Sequence, residues 1–113
     1  MKRVEAIIRP HRLSEALAAL VKLRITGVTV VDSLGFGLNP GHSDVFEQTV
    51  VHRDDDMEIG LVPKKLLVMY MEDEHVRVVV DTIAQIARTG NPGDGKIAIS
   101  HLEELVRVRV EPT

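Results

Sequence analysis

The apolar residues of this chain change their spacing along the sequence, and the order of these spacings constrains the fold more than any other feature. Val4, Ala6 and Ile8 alternate with other residues, which predicts a strand with one apolar face. A helical spacing follows over residues from about 12 to 23, and Ile25–Leu34 predicts a second strand. The first third of the chain therefore predicts a strand, an amphipathic helix and a strand.

The same order returns in the second half of the chain. Leu66–Met71 is an almost wholly apolar strand, and the acidic residues 72–74 follow it, where the dipole of a beginning helix favours negative charge. Two further strands are predicted over Lys96–Ser100 and Leu105–Val110. The helix residues expected to face the sheet are Leu13, Ala16, Leu17, Leu20 and Val21 in the first helix and Val76, Val79, Val80, Ile83, Ile86 and Ala87 in the second. We therefore predict an α+β, ferredoxin-like βαββαβ sandwich in a single domain, residues 1–113.

The segment between the second and third predicted strands, Gly35–Pro63, has no sustained apolar period. A loop of this length in so small a domain is usually functional. Its short apolar patches at Val45–Phe46 and Thr49–Val51 can pair as a hairpin or anchor a partner. A solvated, flexible insertion is the alternative interpretation.

The segment Ala87–Ile99 places two glycines within the three residues before Lys96, in a stretch too rich in turn residues to be a helix. Glycine lets backbone N–H groups approach a ligand, and consecutive turn N–H groups can form an anion-binding nest. Further along, Val106–Val110 alternates apolar and basic residues. A strand there would bury its three valines and present Arg107 and Arg109 about 7 Å apart, a spacing that suits a polyphosphate. Together the two segments indicate a phosphate site.

A purely structural interpretation of these residues stays open at this point. Gly90 can serve as a helix C-cap, residues 91–95 as a tight turn and the two arginines as a solvated strand face. The segment is also not a Walker A loop, because Ile97 follows Lys96 where that motif needs Ser or Thr.

Composition excludes several classes of protein. With a net charge of −3 and 3% aromatic residues, the chain lacks the basic surface and stacking platform of a nucleic-acid-binding module. It has no cysteine, so neither a disulfide framework nor a thiolate nucleophile is available. No apolar run approaches the roughly 20 residues of a membrane span, and no secretory signal is evident. We expect a cytoplasmic protein with no nucleic-acid partner.

Histidine and carboxylate residues are frequent in the long loop. They are His42, Asp44, Glu47, His52, Asp54, Asp55, Asp56 and Glu58. Such ligands suit zinc, nickel or copper, but their spacing matches no defined metal site, so we favour a solvated loop. If the loop binds a metal, His42 and His52 are the candidate ligands. No residues have the spacing of an acid–base motif, and we predict no catalytic residue. An ATP-using enzyme on a ferredoxin-like fold is the alternative class, for which His42 is the available histidine by chain position.

Seven short motifs follow one another along the chain in a characteristic order. They are Glu5–Pro10, Ile25–Thr29, Gly35–Gly37 with Gly41 and His42, Val62–Lys64, Ala87–Gly90, Gly93–Ile97 and Val106–Arg109. In this order and spacing, the chain resembles the PII family of nitrogen-regulatory signal-transducing proteins over nearly its whole length. Ala98 stands where the family's C-terminal signature usually has an aromatic residue.

This resemblance implies a homotrimeric regulator rather than an enzyme. Adenine nucleotide, ATP or ADP and also AMP, would bind in the clefts between subunits, together with Mg²⁺. A mobile T-loop, about residues 36–63, would control a membrane transporter or metabolic enzyme, and a transporter would recruit the protein to the inner face of the membrane. The nucleotide-binding residues that the resemblance implies are Thr29 near the adenine, Gly35, Gly37, Leu38, Gly93, Asp94, Gly95 and Lys96 along the phosphates, and Arg107 and Arg109 from the adjacent subunit. Lys64 would meet 2-oxoglutarate.

The chain departs from the family's pattern just after Gly37, where Leu38, Asn39 and Pro40 replace the usual Arg-Gln-Lys. Loss of the arginine implies weaker triphosphate binding and a shift towards ADP or AMP. Asn39 is one methylene shorter than the glutamine that normally joins Mg²⁺ and 2-oxoglutarate. We therefore expect weak 2-oxoglutarate binding, with control by the nucleotide itself, by bicarbonate or by a metal.

Covalent control through the loop is also constrained by its sequence. The one tyrosine, Tyr70, falls in the third predicted strand, which excludes uridylylation of a loop tyrosine. Ser43 and Thr49 are available for phosphorylation, but nothing in their local sequence favours it.

Overall fold

The structure is a computed structural model that describes residues 1–39, 51–52 and 58–109. Its elements are β1 (Lys2–Ile8), a 3₁₀ turn (Pro10–Arg12), α1 (Leu13–Lys22), β2 (Thr29–Asn39), β3 (Val51–His52), β4 (Glu58–Met71), α2 (Asp73–Ala87) and β5 (Gly95–His101). No helix among these residues is long and apolar enough to cross a membrane.

The sheet has the strand order β2-β4-β1-β5, and short β3 pairs with the outer part of β4. All pairings are antiparallel, with Ala6 opposite Leu67 on one side of β1 and opposite Ile97 on the other. Each helix thus connects two strands that lie on either side of a third. This arrangement is the split-βαβ pattern of the ferredoxin-like fold, and the predicted fold class is confirmed.

The core lies between one face of the sheet and the two helices. Its buried residues are Val4, Ala6 and Ile8 of β1, Leu67, Met69 and Met71 of β4, Ala16 and Leu20 of α1, and Val76, Val79, Ile83 and Ala87 of α2. The period-two and helical patterns predicted most of this set. Val21 was expected in it but is 64% exposed, because one residue after Leu20 the helix has turned about 100° away from the sheet.

Regular structure extends further into the predicted loop than the apolar pattern indicates. β2 begins at Thr29 and continues to Asn39, and β4 begins at Glu58. The two strands pair without interruption up to Asn39 opposite Glu58. The prediction that Gly35–Pro63 lacks regular structure is therefore wrong for the described residues. We call the outer paired parts of β2 and β4, residues 35–39 and 58–62, the ribbon. The ribbon is held by backbone hydrogen bonds, which need no alternation of apolar side chains. Of the two apolar patches, Val51 lies in β3, and residues 45–50 lie outside the described residues.

The strand predicted over Leu105–Val110 does not form within one chain. Residues 102–109 belong to no strand, and Val106 and Val108 are 74% and 102% exposed instead of buried. A strand needs a neighbouring edge for its backbone groups, and this segment meets none among the described residues. Val110 lies outside them.

Candidate functional site

The glycine-rich segment forms a tight loop between α2 and β5. Pro92 and Gly93 occupy the central positions of a turn, and Gly93 has a φ of +94°. Proline followed by a glycine of positive φ is the pattern of a type II turn. Gly95, with a φ of +115°, starts β5 so close to β1 that a Cβ atom there would lie 1.9 Å from the carbonyl oxygen of Ile7. No side chain fits at this position, so glycine is required.

The carboxylate of Asp94 closes this loop upon itself. It accepts hydrogen bonds from the backbone N–H of Thr89 at 2.7 Å and of Gly90 at 2.8 Å, from the Thr89 hydroxyl, and from Arg9. The Thr89 hydroxyl and N–H first, then Arg9 and the Gly90 N–H, hold the pKa of Asp94 well below its usual range. Two of the loop amides that the sequence suggested for an anion nest therefore already bind a carboxylate of the chain itself.

Two cationic side chains, one after β1 and one in β4, bind the backbone of the Pro92–Gly93 turn. Arg9, the residue after β1, donates from Nη2 to the Pro92 carbonyl at 2.9 Å and from Nη1 to Asp94. Lys64 of β4 donates from Nζ to the carbonyl of Gly93. A Cβ atom on Gly93 would lie 3.3 Å from Arg9 Nη2 and 3.5 Å from Lys64 Nζ, so the bare glycine leaves room for both cations.

These groups share one face at one end of the sheet. Lys96 lies opposite Ile7, and Ile7 alternates with the core residue Ile8, so Lys96 is on the face away from the helices. Gly35 lies on the same face, where a Cβ atom would be 3.2 Å from Lys64 Cγ. The structure thus brings together three cations, Gly35 and the glycine-rich loop.

Other predicted residues are not brought to this end of the sheet within one chain. Thr29 is exposed and precedes Gly35 by six residues of β2, a distance of about 20 Å. β5 likewise carries the chain about 20 Å away from this end, to His101, before Arg107 and Arg109 follow. In one protomer the predicted nucleotide-binding residues therefore form two separate groups.

The effector and metal candidates lie in or near the ribbon. The backbone of Leu38 and Asn39 is in β2, opposite Ile59 and Glu58. His52 is in β3, also opposite Glu58. Of the other candidates, Pro40, His42, Ser43, Asp44, Glu47, Thr49, Asp54, Asp55 and Asp56 lie outside the described residues. Within the part of the chain that the structure describes, no group of three or more histidine and acidic residues could hold a metal ion.

Sequence reasoning missed two residues of the site, Arg9 and Thr89. Arg9 was treated only as an alternating strand residue, although its place directly before Pro10 marks it as the last residue before the chain turns. Thr89 lies in the Ala87–Gly90 motif, and its hydroxyl also accepts a hydrogen bond from Arg9 Nη1 at 3.3 Å. Neither contact has a local sequence signal, because β1 and the loop are some 80 residues apart.

The sheet order and the paired crossovers define a ferredoxin-like α+β domain with a cationic glycine loop at one end. The family described as "Nitrogen regulatory protein P-II" matches residues 1–112, and the chain belongs to this family. It is 35% identical over 113 residues to the nitrogen regulatory protein P-II of Rhizobium meliloti (strain 1021), covering 100% of this chain and 96% of the relative. It is 38% identical to that of Azospirillum brasilense and 44% identical to that of Microchaete diplosiphon, each over 109 residues that cover 96% of this chain and 92% of the relative.

Membership of this family confirms three predictions. The protein is a signal-transducing regulator of nitrogen utilisation, it is not an enzyme, and it acts on other proteins. The family as a whole binds adenine nucleotides.

Proposed function

We propose that this protein is a homotrimeric sensor of adenine nucleotide, whose occupancy governs the docking of its T-loop on a membrane transporter or metabolic enzyme. The observation that carries this proposal is the convergence of Arg9, Lys64 and Lys96 on a glycine-rich turn at one end of the sheet. The nucleotide's phosphates would lie along Gly35, Gly37 and residues 93–96.

Charge favours a phosphate ligand at this end of the sheet. Arg9 and Asp94 neutralise each other, and the ammonium groups of Lys64 and Lys96 bring further positive charge to this end of the sheet. Positive side chains and turn amides are the usual partners of phosphate oxygens.

Two separate features support assembly of the site from more than one chain. The helices cover one face of the sheet, and the other face carries Val31 and Tyr70, which are 42% and 41% exposed. Val106 and Val108 need a surface that their own chain does not offer among the described residues. In a trimer, a neighbour would supply Arg107 and Arg109, and its Thr29 would approach the adenine, which resolves the separation of the two groups within one protomer.

The T-loop, about residues 36–63, would be the output of the sensor in a cytoplasmic protein that a transporter draws to the membrane. Its described parts are the ribbon ends, residues 36–39 and 58–63. Nucleotide can bias this loop only through a difference in affinity for its conformations. The basal residue Lys64 is suited to this coupling, because one side chain joins β4 to the glycine loop.

Calorimetry with ATP, ADP and AMP tests nucleotide binding. We expect binding of each, with little preference for ATP because the Leu38 side chain lacks the positive charge of the arginine that it replaces. Lys96→Ala and Arg107→Ala should each weaken binding by about 1.5–3 kcal/mol, the scale of a hydrogen bond to a charged group. Lys22→Ala, which removes an exposed lysine at the end of α1, is the matched control and should leave affinity unchanged. Absence of binding by folded wild-type protein would overturn the proposal.

The second effector is tested in the same instrument. Asn39 falls about 1.5 Å short of a glutamine oxygen, and Mg²⁺ requires ligands at about 2.1 Å, so 2-oxoglutarate should bind weakly to the Mg²⁺-ATP complex. Asn39→Gln should strengthen this binding, and bicarbonate is the comparison anion. Tight 2-oxoglutarate binding by the wild-type protein would contradict the expectation.

A further inference from the structure

A negative side chain at the centre of a phosphate site is unexpected, because it repels the ligand. Asp94 is such a residue: it lies between Gly93 and Gly95, directly before Lys96. Its side chain is 20% exposed and that of Arg9 is 21% exposed, so the ion pair between them is largely shielded from water. Among the described residues, the Asp94 carboxylate forms its hydrogen bonds with Arg9, Thr89 and Gly90.

These contacts fix the orientation of the turn. In a trans peptide the C=O and the N–H point in opposite directions, and none of the described peptide bonds is cis. Because Arg9 binds the carbonyl of Pro92, the N–H of Gly93 must point away from Arg9. The same guanidinium binds Asp94 through Nη1, so the side chain of Arg9 sets both the plane of the turn and the position of its last residue.

We propose that Arg9 and Asp94 are positioning residues that shape the glycine loop for phosphate without contacting the nucleotide. This inference rests on the proposed nucleotide binding. Asp94 draws the start of the loop, Thr89 and Gly90, onto its end, and Arg9 fastens the closed loop to β1. The cost of a negative charge near the phosphates is offset because Arg9 neutralises it within the loop.

A positioning role and a purely electrostatic role of Asp94 predict opposite changes in nucleotide affinity. If Asp94 affected the nucleotide mainly through its charge, Asp94→Asn would tighten binding by removing repulsion. If Asp94 positions the loop, Asp94→Asn weakens binding, because an amide oxygen is a poorer acceptor for Arg9 and for the two loop amides. Likewise, a direct contact of Arg9 with phosphate would make the loss in Arg9→Met grow from AMP to ATP, whereas a positioning role makes the loss similar for all three.

The experiment combines a mutant cycle with hydrogen exchange. Affinities for AMP, ADP and ATP are measured for wild-type protein, Asp94→Asn, Arg9→Met and the double variant, with Asp81→Asn on the exposed face of α2 as the matched loss of a carboxylate. We expect at least about tenfold weaker binding of every nucleotide in both single variants, little further loss in the double variant, and no change in Asp81→Asn. Tighter binding by Asp94→Asn, additive losses, or a loss that grows with phosphate number would each overturn the proposal.

Exchange of the Thr89 and Gly90 amides in the nucleotide-free protein separates this inference from nucleotide binding itself. Both amides should exchange at least about tenfold faster in Asp94→Asn and Arg9→Met, while amides of the β1–β4 ladder keep their protection. Unchanged exchange at residues 89 and 90 would overturn the positioning role even if nucleotide binds. The exchange test also applies if the wild-type protein binds no nucleotide. In that case, unchanged exchange of the two amides in the variants overturns this inference as well. Faster exchange in the variants leaves Arg9 and Asp94 as positioning residues of a loop whose ligand is a different anion. Thr89→Val, which removes only the hydroxyl, gives the same exchange test should either charge variant fail to fold.

Discussion

The glycine-rich loop, residues 88–95, and the C-terminal segment, residues 102–109, differ in where their polar and apolar groups find partners. In the loop, a single chain supplies the contacts: Asp94 binds the amides at its start, and Arg9 and Lys64 bind two successive carbonyls. In the C-terminal segment, Val108 is fully exposed and residues 102–109 join no strand.

This difference separates what one chain determines from what an assembly must determine. The loop owes its shape to contacts that exist before any partner arrives, so its geometry belongs to the protomer. The alternating valines and arginines of the C-terminal segment have a strand pattern without a strand partner. The trimer proposed above would supply that partner.

The largest effect is expected at Gly95. Because one chain supplies the contacts of the glycine-rich loop, a substitution there should destabilise the protomer itself. Gly95→Ala places a Cβ atom 1.9 Å from the carbonyl oxygen of Ile7, so β5 must move away from β1. We expect a loss of about 3 kcal/mol or more in the free energy of unfolding, measured by urea titration. Gly27→Ala is the control: Gly27 also has a positive φ, +74°, but nothing lies within 4 Å of its Cβ position, and about 1–2 kcal/mol is expected. Equal losses would show that backbone strain, and not the close approach to β1, dominates.

A smaller effect, confined to assembly, is expected at Val108. Because this side chain is fully exposed in one chain, Val108→Asp removes no contact within the protomer. The concentration at which the proposed trimer dissociates should rise at least about tenfold, because a charge would enter the interface. The dissociation constant of a trimer scales with the square of concentration, so this rise is equivalent to about 0.9 kcal/mol per subunit. Light scattering over a dilution series measures this, and circular dichroism checks that the protomer remains folded. A variant that assembles like the wild type would place the C-terminal segment outside the interface.

The smallest effect depends on pH and concerns Asp94. Its pKa is lower in the folded protein than the value near 3.9 of an unfolded chain, so ionised Asp94 stabilises the fold fully above that value. This stabilisation is lost as the pH falls below that value and through the lower pKa of the folded protein. The gap in melting temperature between wild-type protein and Asp94→Asn should therefore be full above about pH 5 and shrink towards about pH 2. The gap between wild-type protein and Gly27→Ala should show no such narrowing, since that substitution removes no ionisable group. A constant gap for Asp94→Asn would contradict the assigned contacts.

Local patterns were sufficient to predict the fold because its core obeys them. Val4, Ala6 and Ile8 are all at most 1% exposed, as their period of two indicates. The pattern failed for the ribbon, where Gly37 lies opposite Gly60 and neither can show an apolar period. It also failed for the C-terminal segment, since a period of two specifies a strand but not whether its own chain provides the edge.

The candidate site was predicted only in part, for a similar reason. Gly93, Gly95 and Lys96 carry local signals of a turn and a cation, and the structure places them together. Arg9 is joined to this loop across 85 positions of sequence, a distance over which no periodicity operates. Asp94 was recognised as a residue of the loop, but its contacts with Thr89 and Gly90 required the folded backbone to become visible.

The paired strands β2 and β4 have a mechanical consequence. β1 ends at Ile8, opposite Lys65, while β4 and β2 stay paired outward to Glu58 and Asn39. The seven residues 58–64 thus form an arm about 24 Å long whose inner end is held by Lys64 against the glycine loop. A change of about 10° in the twist at that end, within the ordinary spread between paired strands, sweeps the far tip through about 4 Å. A rotation at the held end would thereby become a displacement of several ångströms at the far tip, a distance large enough to change how a surface there fits another protein.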